Sequence, residues 1–261
     1  MKITVLGSGT SSGVPVLGKN SGVNLSLDPK DKRLRSSIYM EGDPPLLIDT
    51  GPDFRMQMLA QGINNITHVL LTHSHYDHVG GLDDLRPLCF KNPEGISCYS
   101  DEHTHREIID RFQYFYDTKD YFGKPKLNFL YLPLDKSGNF SEFHIGTNRI
   151  QPVKLMHIES RSFYSVGYVF NGKFAYLTDF RWVDPAYIGF VQDLEILMVG
   201  APLPDPHPNH LSIYEAIELI QKLNAQKGYI THLADAKFHQ ELADEFPENI
   251  IPAFDGLMIN F

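Results

Sequence analysis

Short apolar runs, each closed by glycine, proline or a polar residue, punctuate this chain from its first residues. Ile3 to Leu6 reads as a strand that passes into the glycine-rich stretch Gly7 to Gly13. Ser37 to Met40 and Leu46 to Asp49 read as paired strands joined through Gly42-Asp43-Pro44-Pro45. Val69-Leu70-Leu71 reads as a buried strand, and Val153 to Met156, Phe174 to Thr178 and Tyr229 to Thr231 are further strand-like runs. Helical signals stand between them. Pro52 suits the first turn of a helix running to about Gln61, with Gly62 ending it. Ser212-Ile213-Tyr214-Glu215 is a capping-box pattern. Ile213, Ala216, Ile217 and Ile220 then recur at helical spacing, so this helix packs an apolar face on a sheet. Strands and helices alternate with no low-complexity linker and no clear repeat, the pattern of an α/β chain.

The densest chemistry follows one of these strands. In Thr72-His73-Ser74-His75-Tyr76-Asp77-His78, three histidines and an aspartate fall within six residues, directly after Val69-Leu70-Leu71. Gly80-Gly81 then reads as the end of a turn. The chain has 12 histidines, and a lone one is usually structural; four ligand-type residues at this spacing behind a buried strand argue against chance. Imidazole and carboxylate together suit zinc, manganese or iron. His73 and His75 alternate along an extended backbone and reach one metal, while Asp77 and His78, beyond the turn, reach a second.

His73-x-His75-x-Asp77-His78 resembles the signature of the metallo-β-lactamase fold hydrolases. The resemblance runs from the glycine-rich start to Asp255-Gly256. It implies a four-layer αβ/βα sandwich of two mixed sheets flanked by helices, with strand ends gathering the site. It also implies three more ligands: a histidine, an aspartate that bridges the metals, and a final histidine. His157, Asp179 and His232 each end a strand-like run and fill those places. On this reading His73, His75 and His157 hold one metal, Asp77, His78 and His232 the second, and Asp179 bridges. The implied cofactors are two divalent transition metal ions, zinc or manganese, with iron as a further candidate. Asp77 counts as a catalytic residue as well as a ligand. Because the ligands are spread between residues 73 and 232 and must converge, one domain spanning 1–261 is expected.

Further motifs are similar to those of the PhnP-type phosphodiesterase branch. They are Gly7-Ser8-Gly9-Thr10-Ser11-Ser12-Gly13-Val14-Pro15, Arg35-Ser36-Ser37, Asp49-Thr50-Gly51-Pro52-Asp53-Phe54-Arg55 and Gly81-Leu82-Asp83-Asp84-Leu85-Arg86-Pro87. That branch is related to the tRNA 3′-processing endonucleases and to a protein of pyrroloquinoline quinone biosynthesis. The implied activity is hydrolysis of small cyclic or activated phosphodiesters by a hydroxide held between the metals. A further group is needed to assist the leaving oxygen. His210 lies just outside the Ser212 helix start and 22 residues before His232, a spacing similar to that of the catalytic histidine in PhnP-type enzymes. His207, in Asp205-Pro206-His207-Pro208, is the alternative. Many members of the branch bind a structural zinc through cysteines after the first loop. Gly18 to Asn24 contains none here, so no structural zinc is expected and the loop must be held another way.

Two other classes compete. Flavodiiron proteins of this fold have a glutamate where His75 stands and carry a flavin domain, which this chain lacks. Glyoxalase II-like thioester hydrolases share the His-x-His-x-Asp-His set; the Gly81 to Pro87 extension favours the phosphodiesterase branch. A non-catalytic metal-dependent binding protein of cofactor biosynthesis needs fewer ligands than the seven found here, since structural zinc is usually four-coordinate.

Composition narrows the partners. With 42% hydrophobic residues the chain buries a substantial core, and its formal net charge of −9 argues against a stable complex with a nucleic-acid backbone. A small phosphodiester substrate is expected, with a homodimer as a possible assembly. Cys89 and Cys98 show neither disulfide nor metal spacing and read as thiols of a reducing, cytoplasmic compartment. Met1 to Gly7 is too short an apolar run for a signal peptide, and no run approaches membrane-spanning length.

Three remaining features carry less chemistry. The Gly7 to Gly13 loop is not a Walker motif, because no Gly-Lys-Ser/Thr follows; its glycines are expected to let the chain pass close to the metal centre. Asp49 is expected to accept hydrogen bonds from ligand histidines and fix their tautomers. Residues 111–131 are rich in aromatics, including Tyr121 and Phe122. Phe112 and Phe115 are expected to pack from one helix, the tyrosines remain open between lid, interface and core, and Lys124 and Lys126 read as solvated surface more readily than as anion binders.

Overall fold

The computed structural model describes residues 2–116, 123–157 and 163–260. Alternation of side chains along each strand builds two sheets. The first contains β1 (Lys2–Gly7), β2 (Ser37–Glu41), β3 (Leu46–Ile48), β4 (His68–Leu70), β5 (Ile96–Ser100) and β6 (Leu127–Tyr131). The second contains β7 (Phe143–Ile145), β8 (Asn148–Met156), β9 (Tyr164–Phe170), β10 (Phe174–Leu177), β11 (Trp182–Val183), β12 (Ile196–Gly200), β13 (Lys227–Thr231) and β14 (Ile250–Pro252). The last strand, β15 (Met258–Asn260), returns to pair with β1. The strand orders are β15-β1-β2-β3-β4-β5-β6 and β11-β8-β9-β10-β12-β13-β14, with β7 paired to β8.

Each sheet changes from antiparallel to parallel in its middle. β2 pairs antiparallel with β3, which pairs parallel with β4; β9 pairs antiparallel with β10, which pairs parallel with β12. Ligand sites in open α/β sheets form at the carboxyl ends of parallel strands, where the order switches. The loops after β3, β4, β8, β10, β12 and β13 carry all the candidate site residues named from the sequence.

The period of two divides the core. Ile38, Met40, Leu46, Ile48 and Leu70 join Val153, Leu155, Val166 and Tyr168 between the sheets. Leu47, Val69 and Cys98 point the other way and pack with Phe54, Met58, Val79 and Ile108. That outer face is covered by α2 (Phe54–Ala60), α3 (Tyr76–Val79), α4 (Arg86–Cys89) and α5 (Glu102–Arg111), after the short α1 (Gly22–Leu25) of the first loop. α6 (Ile213–Lys222) covers β12 and β13, and α7 (His239–Glu245) packs on β14. The result is helices, sheet, sheet, helices: the four-layer α/β sandwich.

The expected capping box starts α6: Ser212 Oγ accepts from the Glu215 N–H, and Glu215 returns a bond to the Ser212 N–H. Gly62 follows α2 in the left-handed region at φ +64°. The aromatic segment differs in detail. Phe112 and Phe115 do not share a helix, because α5 ends at Arg111 and a separate 3₁₀ turn carries Gln113–Phe115. Their rings still stack, with centroids 5.0 Å apart, so the packing role holds. Tyr114 donates to Asp83 Oδ1 at 2.8 Å. Lys126 is bonded to the Pro93 carbonyl, away from the site, whereas Tyr121 and Phe122 lie outside the described residues. Among the described residues no helix is long and apolar enough to cross a membrane.

Candidate metal centre

The histidine-rich segment is positioned by both sheets. After β4, the Thr72 carbonyl accepts from Val166 N–H at 2.8 Å, and the Leu71 carbonyl accepts from the Tyr168 hydroxyl at 2.7 Å. His75 caps a helix rather than a simple turn: Tyr76–Val79 form one helical turn, which carries Asp77 and His78. Gly51 and Gly81 allow this turn to sit against the loop after β3. A Cβ on Gly51 would meet the Asp77 carbonyl at 2.2 Å, and one on Gly81 would meet the Gly51 carbonyl at 2.2 Å. Through that contact Thr50 N–H reaches the His78 carbonyl at 2.7 Å, and His78 comes to rest against Asp49.

Asp49, Asp179 and His232 adopt left-handed backbones, with φ of 64°, 57° and 59°. Such residues cost on the order of 1–3 kcal/mol each and persist only where the surroundings impose them. The surroundings are the same for the two aspartates. Ser37 Oγ donates to the Ile48 and Asp49 carbonyls at 2.9 and 3.0 Å; Ser165 Oγ donates to the Thr178 and Asp179 carbonyls at 2.9 and 3.0 Å. One device, a serine on an antiparallel neighbour, ends both strands and turns both carboxylates into the site.

The structure brings His73, His75, Asp77, His78, His157, Asp179, His210 and His232 to one place. Donor atoms lie within 4.8 Å of one another in four groups: His73, His75 and His157; His73, His78 and Asp179; Asp77, His78 and His232; and His157, Asp179 and His210. Asp179 spans them. Its Oδ2 is 3.2 Å from His78 Nε2, and its Oδ1 is 3.3 Å from His232 Nε2. Phe163 packs over the first group, its ring stacked on His75 with centroids 5.0 Å apart and 5.5 Å from His157. Nothing in its sequence context marks it.

The donor set fits divalent cations. Among the described residues, His73 Nε2, His78 Nε2 and His232 Nε2 are buried without a hydrogen-bond partner. Leaving such an atom unsatisfied costs on the order of 1–3 kcal/mol, so three converging ones require a ligand. Charge gives the same answer. Burial pulls the His78 pKa down, yet Asp77, Asp179 and Asp49 together hold it well above its ordinary value. His73, His75 and His157 have lowered values, chiefly through burial, and are neutral donors. Three carboxylates converge on this one imidazole, and a divalent ion bound there would balance their charge.

Second contacts set the tautomers. His78 Nδ1 is 2.7 Å from Asp49 Oδ2, and Thr72 N–H and Oγ1 bind the same carboxylate at 2.8 and 2.9 Å. His157 Nδ1 donates to the Asn209 carbonyl at 3.2 Å. Both histidines thereby turn Nε2 toward the cluster. His210 Nδ1 lies 3.9 Å from Asp179 Oδ1, at the edge of the set, and its ring is 5.0 Å from that of His207, which stands farther out.

The loop without cysteines is held by Asp235, three residues beyond His232. Its carboxylate accepts from Lys19 Nζ at 2.8 Å, Ser21 Oγ at 2.9 Å and Asn24 Nδ2 at 2.6 Å. The glycines of the preceding loop serve close backbone contact, and one of these contacts lies beside the metal donors. A Cβ on Gly7 would meet the Arg35 carbonyl at 2.0 Å, and Gly9 bridges Leu233, next to His232. Asp235→Ala is expected to destabilise the fold by about 1–3 kcal/mol through the orphaned loop donors, read as a lower thermal midpoint. Burial works against the Asp235 carboxylate, but the bonds from Lys19, Ser21 and Asn24 hold its pKa below the ordinary value. Its stabilisation is therefore full at neutral pH and is lost as pH falls through and below the carboxylate range. The variant should narrow the gap between neutral and acid stability; an unchanged melting curve at both would refute the clasp.

Donor clusters gather at the strand ends of a two-sheet sandwich, and the family model for the beta-lactamase superfamily domain matches residues 45–233. The chain belongs to that superfamily and, within it, to the PhnP family. A crystal structure described as a new diphosphatase from the PhnP family is 34% identical, covers 100% of this chain and 97% of its own, and superposes with a TM-score of 0.88. An octanoyltransferase of Porphyromonas gingivalis is 34% identical over 98% of this chain. The chain spans about half of that relative, 51% of its length. A ribonuclease Z of Staphylococcus aureus is 24% identical, over 100% of this chain and 97% of its own.

Proposed function

We propose that this chain hydrolyses small phosphodiesters, using two divalent metal ions. One observation carries the reading: the Asp179 carboxylate lies beside both the His73, His75, His157 group and the Asp77, His78, His232 group, so a single buried residue links two sets of donors. Likeness to a PhnP-family diphosphatase over 97% of that chain supports phosphorus as the target. The octanoyltransferase name belongs to a protein of which this chain matches about half, and it supplies no argument about this site.

His73, His75 and His157 would hold one ion and Asp77, His78 and His232 the other, with Asp179 shared. Bound there, the ions supply Lewis acidity at the non-bridging oxygens and acidify water near neutral pH. The chain does the rest. Asp49 and the Asn209 carbonyl orient His78 and His157, and Thr178 Oγ1 fixes Asp179 Oδ2 at 2.6 Å. Burial lowers the His210 pKa to about 3, so its imidazole is neutral and donates an N–H to the leaving oxygen as charge develops there.

The net charge of −9 favours a small substrate over folded RNA. A thiolate leaves readily without help, so His210 supports an alkoxide leaving group over a thioester. Comparing kcat/KM for bis(p-nitrophenyl) phosphate, a 2′,3′-cyclic nucleotide, a glutathione thioester and a precursor tRNA tests this. A phosphodiester is expected to lead, with two metal ions per chain by elemental analysis. Preference for the thioester, or no phosphodiester turnover with zinc, manganese or iron, overturns the reading.

A further inference from the structure

An open cavity of about 610 Å³ lies beside the donor cluster, lined by Arg181, Trp182, Pro206, His207 and Pro208. Its lining residue His207 neighbours the site: the His207 and His210 rings are 5.0 Å apart, and His210 Nδ1 is 3.9 Å from Asp179 Oδ1. Its walls are rigidly placed. Trp182 pairs with Met156, the residue before His157, and Arg181 N–H donates to the Met156 carbonyl at 2.7 Å. The loop that carries His207 is tied back by Leu211 N–H to the Phe180 carbonyl at 3.1 Å and by His157 to Asn209.

The chemistry of the lining selects a ligand. Trp182 is the chain's single tryptophan, and at 38% exposed it presents a flat indole that the core does not cover. Pro206 and Pro208 add rigid apolar surface. The polar rim is His207, whose Nδ1 accepts from Asn209 N–H at 3.2 Å and whose proton therefore sits on Nε2, and Arg181. Glu215 Oε1 is 2.7 Å from Arg181 Nη2 and offsets its charge. The cavity thus offers a stacking surface and hydrogen-bond donors without a strong positive field. A polyanion gains little there; a planar heteroaromatic ring gains stacking and edge hydrogen bonds.

We propose that this cavity binds the aromatic base of a nucleoside-type phosphodiester whose phosphate lies at the metal donors. The inference rests on the phosphodiester reading and names the substrate class for the same site. Trp182 stacks on the base, and His207 and Arg181 meet its edge.

Because Trp182 is the only tryptophan, its emission reports this cavity alone. The test titrates the protein as purified with AMP, ribose 5-phosphate and inorganic phosphate, following tryptophan fluorescence and, in parallel, calorimetry. AMP should change the emission saturably and bind at least about tenfold more tightly than ribose 5-phosphate or phosphate. By calorimetry Trp182→Phe should retain AMP binding, while Trp182→Ala should lose about tenfold in affinity for AMP and little for ribose 5-phosphate. Equal affinity for AMP and ribose 5-phosphate, AMP binding that leaves the emission unchanged, or no AMP binding would each overturn the base site. Turnover of bis(p-nitrophenyl) phosphate with none of these binding differences would retain the phosphodiesterase and remove only the base site.

Discussion

Asp179→Ala is expected to abolish phosphodiester turnover and to strip metal from the protein at once. The carboxylate is buried at 3% exposure and stands 3.2 Å from His78 Nε2 and 3.3 Å from His232 Nε2. Burial alone would raise its pKa, but His232 and His78 hold it well below the ordinary value, so it is an anion in the folded chain. Alanine removes the negative charge common to both donor groups. Losing a hydrogen bond that merely orients a ligand costs about 10–100-fold in metal affinity; losing a shared ligand should cost more, and at both positions. We expect kcat/KM to fall by at least about 10⁴, which corresponds to roughly 5.5 kcal/mol, and elemental analysis after dialysis to show loss of both ions. Asp179→Asn keeps the shape without the charge and should lose nearly as much. A variant with two metals and a tenth of the original turnover would show that Asp179 does not join the groups.

Much of this site was legible because its signals are local. His73, His75, Asp77 and His78 fall in one segment, and the strand before them is apolar without interruption. His157, Asp179 and His232 were readable only through family resemblance joined to strand-end position. What stayed hidden depends on pairing between distant strands. The repeated serine device links Ser37 to Asp49 and Ser165 to Asp179, but the two stretches share too few residue types to show as a repeat, and only the antiparallel registers bring each serine to its aspartate. Asp235 gave no signal because its partners Lys19, Ser21 and Asn24 lie more than 200 residues earlier. Phe163 is an ordinary aromatic in the sequence and becomes a wall only when β9 places it over His75. The helix at Tyr76–Val79 leaves no mark in the sequence, because one helical turn is shorter than any periodicity can reveal.

His210→Ala separates a group that assists chemistry from one that holds metal. The residue stands where either role is geometrically open, since its Nδ1 falls in one group with His157 and Asp179 and is buried without a hydrogen-bond partner among the described residues. Its position at the rim, 16% exposed and between the donors and the Trp182 cavity, favours contact with the substrate's leaving oxygen. The variant should therefore keep its metal content while kcat falls by about 10²–10⁴, with KM little changed. The loss should depend on the leaving group. A p-nitrophenolate needs little assistance and should lose least, whereas an alkoxide leaving from a cyclic nucleotide should lose most. His207→Ala belongs to the cavity wall and should act on KM for aromatic substrates, without that dependence on the leaving group. If His210→Ala released an ion, the imidazole would be a ligand beside His157. If it lost equal activity on both substrates with metals intact, it would be orienting the substrate rather than assisting departure.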